Sequence, residues 1–188
     1  MKLYRQGQEL VPDPSFTERV KQLTDTPFER CNQCSKCTAG CPVAFAMDIM
    51  PNQVCLLVQR GLGEPLLQSS TIWLCSSCET CATRCPMEIS VTELVDALRQ
   101  IALEEGVRPK EPAVVAFHEA FLGSVQRRGR VHELDMMGRY KLRSGRLLDD
   151  LPLGVKIFFK GKLPLVAERT KDVAALRRIV QAKAERKQ

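Results

Sequence analysis

Apolar residues in this 188-residue chain recur at helical spacing, and few stretches alternate as half-buried strands do. Phe16, Val20 and Leu23 predict a short helix that Pro14 and Ser15 can start and Pro27 ends. Residues 51–60 and 64–69 predict two more, divided by Gly61 and Gly63. The clearest helix follows Ser90. That residue caps it, Glu93 completes a capping box, and Leu94, Val95, Leu98, Ile101 and Ala102 form a buried stripe that stops at Gly106. Residues 112–126 predict a helix carrying Val114, Val115, Phe117, Phe121 and Leu122. Residues 171–186 predict a terminal one, with Thr170 as its cap and Val173, Leu176, Ile179 and Val180 as its apolar face. The expected fold class is mostly α. A lead-in over 1–30 precedes a domain over 31–106 and a helical, basic extension over 107–188.

The chain holds nine cysteines, and eight fall outside this periodicity, in two sets of four. Cys31, Cys34, Cys37 and Cys41 are followed by Pro42, and Cys75, Cys78, Cys81 and Cys85 by Pro86. Both sets read C-x2-C-x2-C-x3-C-P, and each position of the second lies 44 residues beyond its counterpart in the first. Three cysteines at steps of three suit a tight loop wrapping one side of a [4Fe–4S] cube. The fourth belongs to chain that has already left the loop, and in this spacing it ligates the other cluster. The predicted ligands of cluster one are Cys31, Cys34, Cys37 and Cys85, and those of cluster two are Cys75, Cys78, Cys81 and Cys41. Such crossing ties the two halves through metal, so the fold should depend on the clusters. Pro42 and Pro86 turn the chain away from each loop. Gly40 gives the backbone freedom where Cys41 must approach a cube.

Paired zinc sites are the competing reading. Zinc takes four cysteines too, but usually as two C-x2-C knuckles separated by a longer stretch. A brown protein bleached by dithionite distinguishes the two. Cys55, the ninth cysteine, sits with Val54, Leu57 and Val58 at helical spacing and reads as a small buried hydrophobe. Its place between the motifs also allows it to lie near a cluster.

Charge is uneven. Residues 1–126 hold 11 basic and 15 acidic side chains, and residues 127–188 hold 17 basic and 7 acidic. The formal net charge of +6 falls to roughly +2 once eight thiolates and two cores of about +2 each are counted. A basic end can suggest nucleic acid, but no recognised nucleic-acid fold or interleaved aromatics accompany it, so no nucleic-acid partner is expected. Residues 151–167 mix apolar positions with Lys156, Lys160 and Lys162, and two glycines and two prolines favour docking on a partner over a membrane-surface helix. No apolar run approaches the roughly 18 residues of a membrane helix, and the N-terminus carries no apolar signal segment. A cytoplasmic protein without a transmembrane segment is expected, its cysteines binding metal rather than pairing as disulfides. Lys36 and Arg84 lie inside the loops, where positive charge favours a reduced cluster. Catalytic residues: none are expected. There is no G-x-G-x-x-G, and His118 reads as a packed helix residue and His132 as a surface residue or partner contact.

The helical insert between the motifs resembles the α-helical ferredoxin domain of succinate dehydrogenase and fumarate reductase iron–sulfur subunits. Beyond it, the run Gly129, Arg130, Val131, His132 and Glu133 and the residues Met137, Gly138 and Tyr140 resemble the C-terminal part of the heterodisulfide reductase C-type subunit family. With the motifs and the length, that resemblance covers nearly the whole chain. It implies an electron-transfer subunit of an oxidoreductase complex, a hetero-oligomer holding two [4Fe–4S] clusters. Its partners would be a flavin and iron–sulfur subunit and a CCG-type catalytic subunit. The chain itself has no Cys-Cys pair, so the disulfide chemistry of such a complex would lie elsewhere. The alternatives are an iron–sulfur subunit of a quinone-linked or fumarate-reducing complex, and a cluster-bearing regulatory or nucleic-acid-binding protein.

Overall fold

The computed structural model describes residues 3–5 and 8–145, and beyond them 156–157, 159–160, 170–176 and 178–179. The chain divides into two units, Met1–Glu111 and Pro112–Gln188. The described residues are mostly α-helical, as the periodicity predicts.

The first unit begins with a small hairpin that the sequence did not suggest. Strands β1 (Leu3–Arg5) and β2 (Gln8–Leu10) pair antiparallel, with Leu3 opposite Leu10. Helix α1 (Pro14–Leu23) has Pro14 in its first turn, and Asp13 is its cap, accepting from Ser15 N at 2.9 Å. Helices α2 (Lys36–Ala39), α3 (Pro51–Gln59), α4 (Gly63–Leu67), α5 (Thr71–Leu74), α6 (Thr80–Thr83) and α7 (Val91–Glu104) follow. Helix α7 is the centre of packing, touching α1, α3, α4, α5 and α6. Its predicted stripe of Leu94, Val95, Leu98, Ile101 and Ala102 is buried, against Val20 of α1, Val54 and Val58 of α3, and Leu66 of α4, which are buried too. The capping box at its start is half made. Ser90 Oγ accepts from Glu93 N at 3.3 Å, but the Glu93 carboxylate accepts instead from Thr24 Oγ1 at 3.0 Å. Pairing with a loop 69 residues away took precedence over local closure of the turn.

Helices α3 and α7 end alike. After α3, Leu62 N donates to Leu57 O and Gly61 N to Val58 O; after α7, Val107 N donates to Ala102 O and Gly106 N to Leu103 O. Both are Schellman closures with glycine in the left-handed region, at φ +66°. The two glycines differ in surroundings. A Cβ at Gly61 would lie 2.4 Å from the backbone oxygen of Asp13, whereas one at Gly106 would meet nothing. Gly106→Ala is therefore expected to cost about 1–2 kcal/mol, the left-handed penalty alone. Gly61→Ala should cost more, because it must also push apart the Asp13 N to Gly61 O bond of 2.9 Å. Equal losses in anaerobic denaturation would contradict this account.

Asp48 joins the segment after the first motif to the start of α5. Its carboxylate accepts from Ser70 N, Thr71 N, Thr71 Oγ1 and Lys110 Nζ. Burial alone would raise its pKa, but the Lys110, Ser70 and Thr71 hydrogen bonds outweigh that and hold it well below the usual carboxylate range.

In the second unit, α8 (Pro112–Arg128) packs on α9 (Glu133–Ser144). The buried positions of α8 are Ala116, Ala120 and Ser124, a single row of small residues that lets the helices approach closely. Phe117, Phe121 and Leu122, expected among its apolar residues, face outward; Phe117 meets Tyr140 edge-on with ring centroids 5.9 Å apart. Half-buried His118 lies beside the Phe117 ring, at a centroid distance of 6.3 Å. His132 is buried rather than on the surface. It caps α9, its Nδ1 accepting from Asp135 N, while its own N–H donates to Ser124 Oγ at 3.1 Å. Asp135 draws in Arg127, Arg128 and Arg139, each within 3.0 Å. Burial would raise its pKa, but the Arg139 and Arg127 hydrogen bonds and the nearby charges lower it.

Residues 151–155 and 161–167 of the expected docking segment, and 180–186 of the expected terminal helix, lie outside the described residues. Residues 173–176 and 178–179 are helical, and Asp172 rather than Thr170 supplies the capping oxygen, accepting from Ala175 N at 2.8 Å. Val173 is buried as expected, whereas Ile179 is exposed.

Candidate metal centre

The two cysteine motifs fold as near copies of one another. Cys31 and Cys75 each end a short helical turn, at φ/ψ of −64°/118° and −58°/120°. Gln33 and Ser35 then adopt positive φ in the first loop, as Ser77 and Glu79 do at the matching places in the second. Left-handed backbone at four non-glycine residues costs about 1–2 kcal/mol each, which marks both loops as held for a purpose. Helices α2 and α6 follow at the same 44-residue offset, each carrying its third cysteine. Neither helix buries a residue of its own.

The eight cysteines gather in two recesses. One, of about 350 Å³ with open solvent included, is lined by Cys31, Cys34, Cys37 and Cys85. The other, of about 410 Å³, is lined by Cys75, Cys78, Cys81 and Cys41. Each holds three cysteines of one loop and the fourth of the other. Val91 lines both. Among the described residues, no three His, Cys, Asp or Glu side chains converge as they would on a single ion. Sulfurs ringing a recess suit a multinuclear cube, and donors that are all thiols suit iron–sulfur chemistry.

Burial pushes the thiols of Cys37, Cys75 and Cys81 up, so each carries a proton until metal displaces it. Cys78 is exposed, and the Thr80 hydroxyl 3.3 Å from its sulfur lowers its pKa. In the first loop, Gln33 Nε2 donates to Cys31 Sγ at 3.3 Å. Asn52 braces that loop by bonding both Gln33 and Thr38. Cys55 is buried, as its helical spacing predicts, and it also lines the first recess beside Cys31 and Cys37. Burial drives its thiol strongly upward, so it packs there in the neutral form.

Two side chains hold the entrances of the loops, and neither stood out in the sequence. Gln59 Nε2 donates to the carbonyls of Phe28 at 2.9 Å, Glu29 at 3.1 Å and, at the longest distance, Cys31 at 3.4 Å. Arg99 donates to the carbonyls of Ile72 and Cys75, the latter at 2.6 Å. Ile72 and Cys75 lie 44 residues beyond Phe28 and Cys31, so equivalent carbonyls are clamped in both halves.

Gly40 corrects an expectation. Its φ is −95°, which any residue adopts. What it lacks is a side chain: a Cβ there would lie 2.7 Å from Arg84 Nη1, so Arg84 of one half crosses over Gly40 of the other.

Known proteins agree with this architecture. Residues 27–89 match the family model of the 4Fe-4S dicluster domain. The chain is similar to the iron–sulfur C-type subunit of CoB–CoM heterodisulfide reductase from Methanopyrus kandleri, 30% identical over 55% of this chain and 58% of the relative. The C-type subunit of a ferredoxin:CoB-CoM heterodisulfide reductase from Methanosarcina acetivorans is 37% identical over 53% of this chain and 41% of the relative. A second C-type iron–sulfur subunit, from Methanocaldococcus jannaschii, is 38% identical over 42% of each chain. The chain spans about half the length of these curated relatives. The matched domain and the C-type relatives support two [4Fe–4S] clusters as cofactors of this chain. Among iron–sulfur proteins the chain resembles the C-type subunit of heterodisulfide reductase. No helix among the described residues is long and apolar enough to cross a membrane.

Arg84→Glu is expected to lower the midpoint potential of a cluster, since it puts negative charge beside Cys85 and over Gly40. Arg84 is exposed, so solvent screens it, and the shift should stay below about 59 mV, tenfold in a one-electron equilibrium. A potentiometric titration that does not move would refute the expectation.

Proposed function

We propose that this chain is the electron-transfer subunit of a heterodisulfide reductase-like complex. Cys31, Cys34, Cys37 and Cys85 would hold one [4Fe–4S] cluster, and Cys75, Cys78, Cys81 and Cys41 the other. Bound there, such clusters supply one-electron carriage and no bond chemistry. The residues around them bind and orient: Gln59 and Arg99 fix the loop entrances, Asn52 braces the first loop, and α7 closes both recesses through Val91. The chain relays single electrons between a flavin-containing subunit and a CCG-type catalytic subunit, so it reduces no disulfide when alone.

The observation that supports this most is the exchange of the fourth cysteine between the recesses. It puts both sites in one small body, as a relay needs, and the likeness to the heterodisulfide reductase C-type subunits supplies the context. The extension over 107–188 is the docking part in this reading. Part of its positive charge is already engaged, through Asp135 and the Arg143–Glu119 pair. Anaerobic purification of the tagged chain from its own cells, with identification of the subunits that come with it, tests the proposal. A CCG-type protein and a flavoprotein are expected. A membrane cytochrome would point to the quinone-linked alternative, and salt-sensitive nucleic-acid binding by the holoprotein to a regulatory one.

A further inference from the structure

The two halves repeat one backbone, so a difference between them at equivalent places is informative. The carbonyls of Phe28 and Cys31 receive their hydrogen bonds from the neutral amide of Gln59. The carbonyls of Ile72 and Cys75, 44 residues on, receive theirs from the guanidinium of Arg99. Position 99 itself corresponds to Cys55, so one half has a permanent cation where the other has a neutral thiol lining its recess.

The cation at this place is well insulated. The Arg99 side chain is 13% exposed, and its charge faces the backbone of the first cysteine in its loop. Of the other charges nearby, Asp48 beside Thr71 is 26% exposed but is paired with Lys110 at 2.8 Å, and the rest are exposed. Asp96 pairs with Arg99 Nη1 at 3.0 Å but is 63% exposed. Glu79 and Arg84 of the second loop and Lys36 of the first lie on the surface. Water screens those four far more than Arg99. Side-chain hydrogen bonds reach ligand sulfur at both sites, among them Gln33 to Cys31 and Thr80 with Cys78.

We propose that Arg99 is a positioning residue that makes the site of Cys41, Cys75, Cys78 and Cys81 the more easily reduced of the two. Adding an electron makes a thiolate-bound centre more negative, and a half-buried cation beside one of its cysteines favours that state. One electron then passes from the Cys31 side to the Cys75 side and rests there. One site loses what the other gains, no proton moves and no bond forms or breaks. The electron enters from the flavin-type donor named above. This inference rests on the proposed cysteine assignment.

Anaerobic titration of the holoprotein against a mediator series, followed by electron paramagnetic resonance, tests it. Wild type should show two midpoints. Arg99→Gln should lower the higher one and leave the lower in place, moving the partition of an electron between the sites about tenfold, or about 59 mV for a one-electron couple. Arg99→Lys, which keeps the charge, should restore most of the gap. Gln59→Arg should raise the lower midpoint, and it settles the matter even if Arg99→Gln does not fold. Unchanged midpoints in Arg99→Gln, equal shifts of both, or a Lys variant that behaves like Gln would overturn the role of Arg99. So would a Gln59→Arg protein with the wild-type lower midpoint. A wild-type protein with a single redox centre would instead overturn the cysteine assignment, and this inference with it.

Discussion

Cys81→Ala is expected to leave the holoprotein with about four irons per chain instead of about eight, and with one midpoint potential instead of two. The loss should also loosen structure, and where it does so follows from burial. Helices α2 and α6 bury no residue, and the loops before them keep four non-glycine residues at positive φ. At about 1–2 kcal/mol each, that strain has no buried residue of α2 or α6 to offset it and depends on the metal. The helical core is different. Val20, Val58, Leu66, Leu94, Leu98 and Ile101 are fully buried without lining either recess. In the variant, amides of residues 75–85 should therefore exchange rapidly while those of the middle of α7 stay protected. Removing both clusters from the wild type should extend rapid exchange to residues 31–41. Exchange that spreads evenly over α7 would mean that the clusters hold the whole unit. Full iron content in Cys81→Ala would remove that residue from the ligand set.

How far the sequence spoke depended on whether a signal was local. The helix around Leu94, Leu98 and Ile101 was legible because period, cap and glycine stop agree within 17 residues, and the structure has it at Val91–Glu104. The cysteine sets were legible because spacing alone encodes a loop around a cube. Glu93 misled because its partner Thr24 is distant in sequence. The apolar residues Phe117 and Phe121 mark a helix but not which of its faces is inside; a neighbouring helix selected Ala116, Ala120 and Ser124 for their small size. His132 was misread for a related reason, since it is buried where its backbone N–H meets Ser124 of the preceding helix. Helix α9 carries a polar sequence, ELDMMGRYKLRS, whose buried residue is Met136. Gln59 and Arg99 escaped because a side chain that clamps carbonyls has no sequence pattern of its own. The 44-residue repeat does not reveal them either, because Gln59 aligns with Leu103 and Arg99 with Cys55; only the carbonyls they hold are equivalent.

Leu98→Ala should destabilise the first unit by about 2–5 kcal/mol without changing its iron content. The side chain has no exposed surface and sits in the middle of the helix on which α1, α3, α4 and α5 pack. Truncation removes the buried methyl groups and leaves a cavity that these four helices cannot all close on at once. Domains of this size are held by only about 5–15 kcal/mol, so the loss is a large share of the total. Leu103→Ala, on the same helix at 55% exposure, is the control and should cost within about 0.5 kcal/mol. Leu98 lines neither recess, whereas Val91, Thr92 and Val95 of α7 do. A stability loss with both clusters retained thus separates the apolar core from the metal sites. The penalty should be similar in the holoprotein and in protein stripped of iron, measured by anaerobic denaturant unfolding. A penalty that vanishes on stripping would show that α7 packs only while the clusters are bound, which would reverse the order of dependence argued from Cys81.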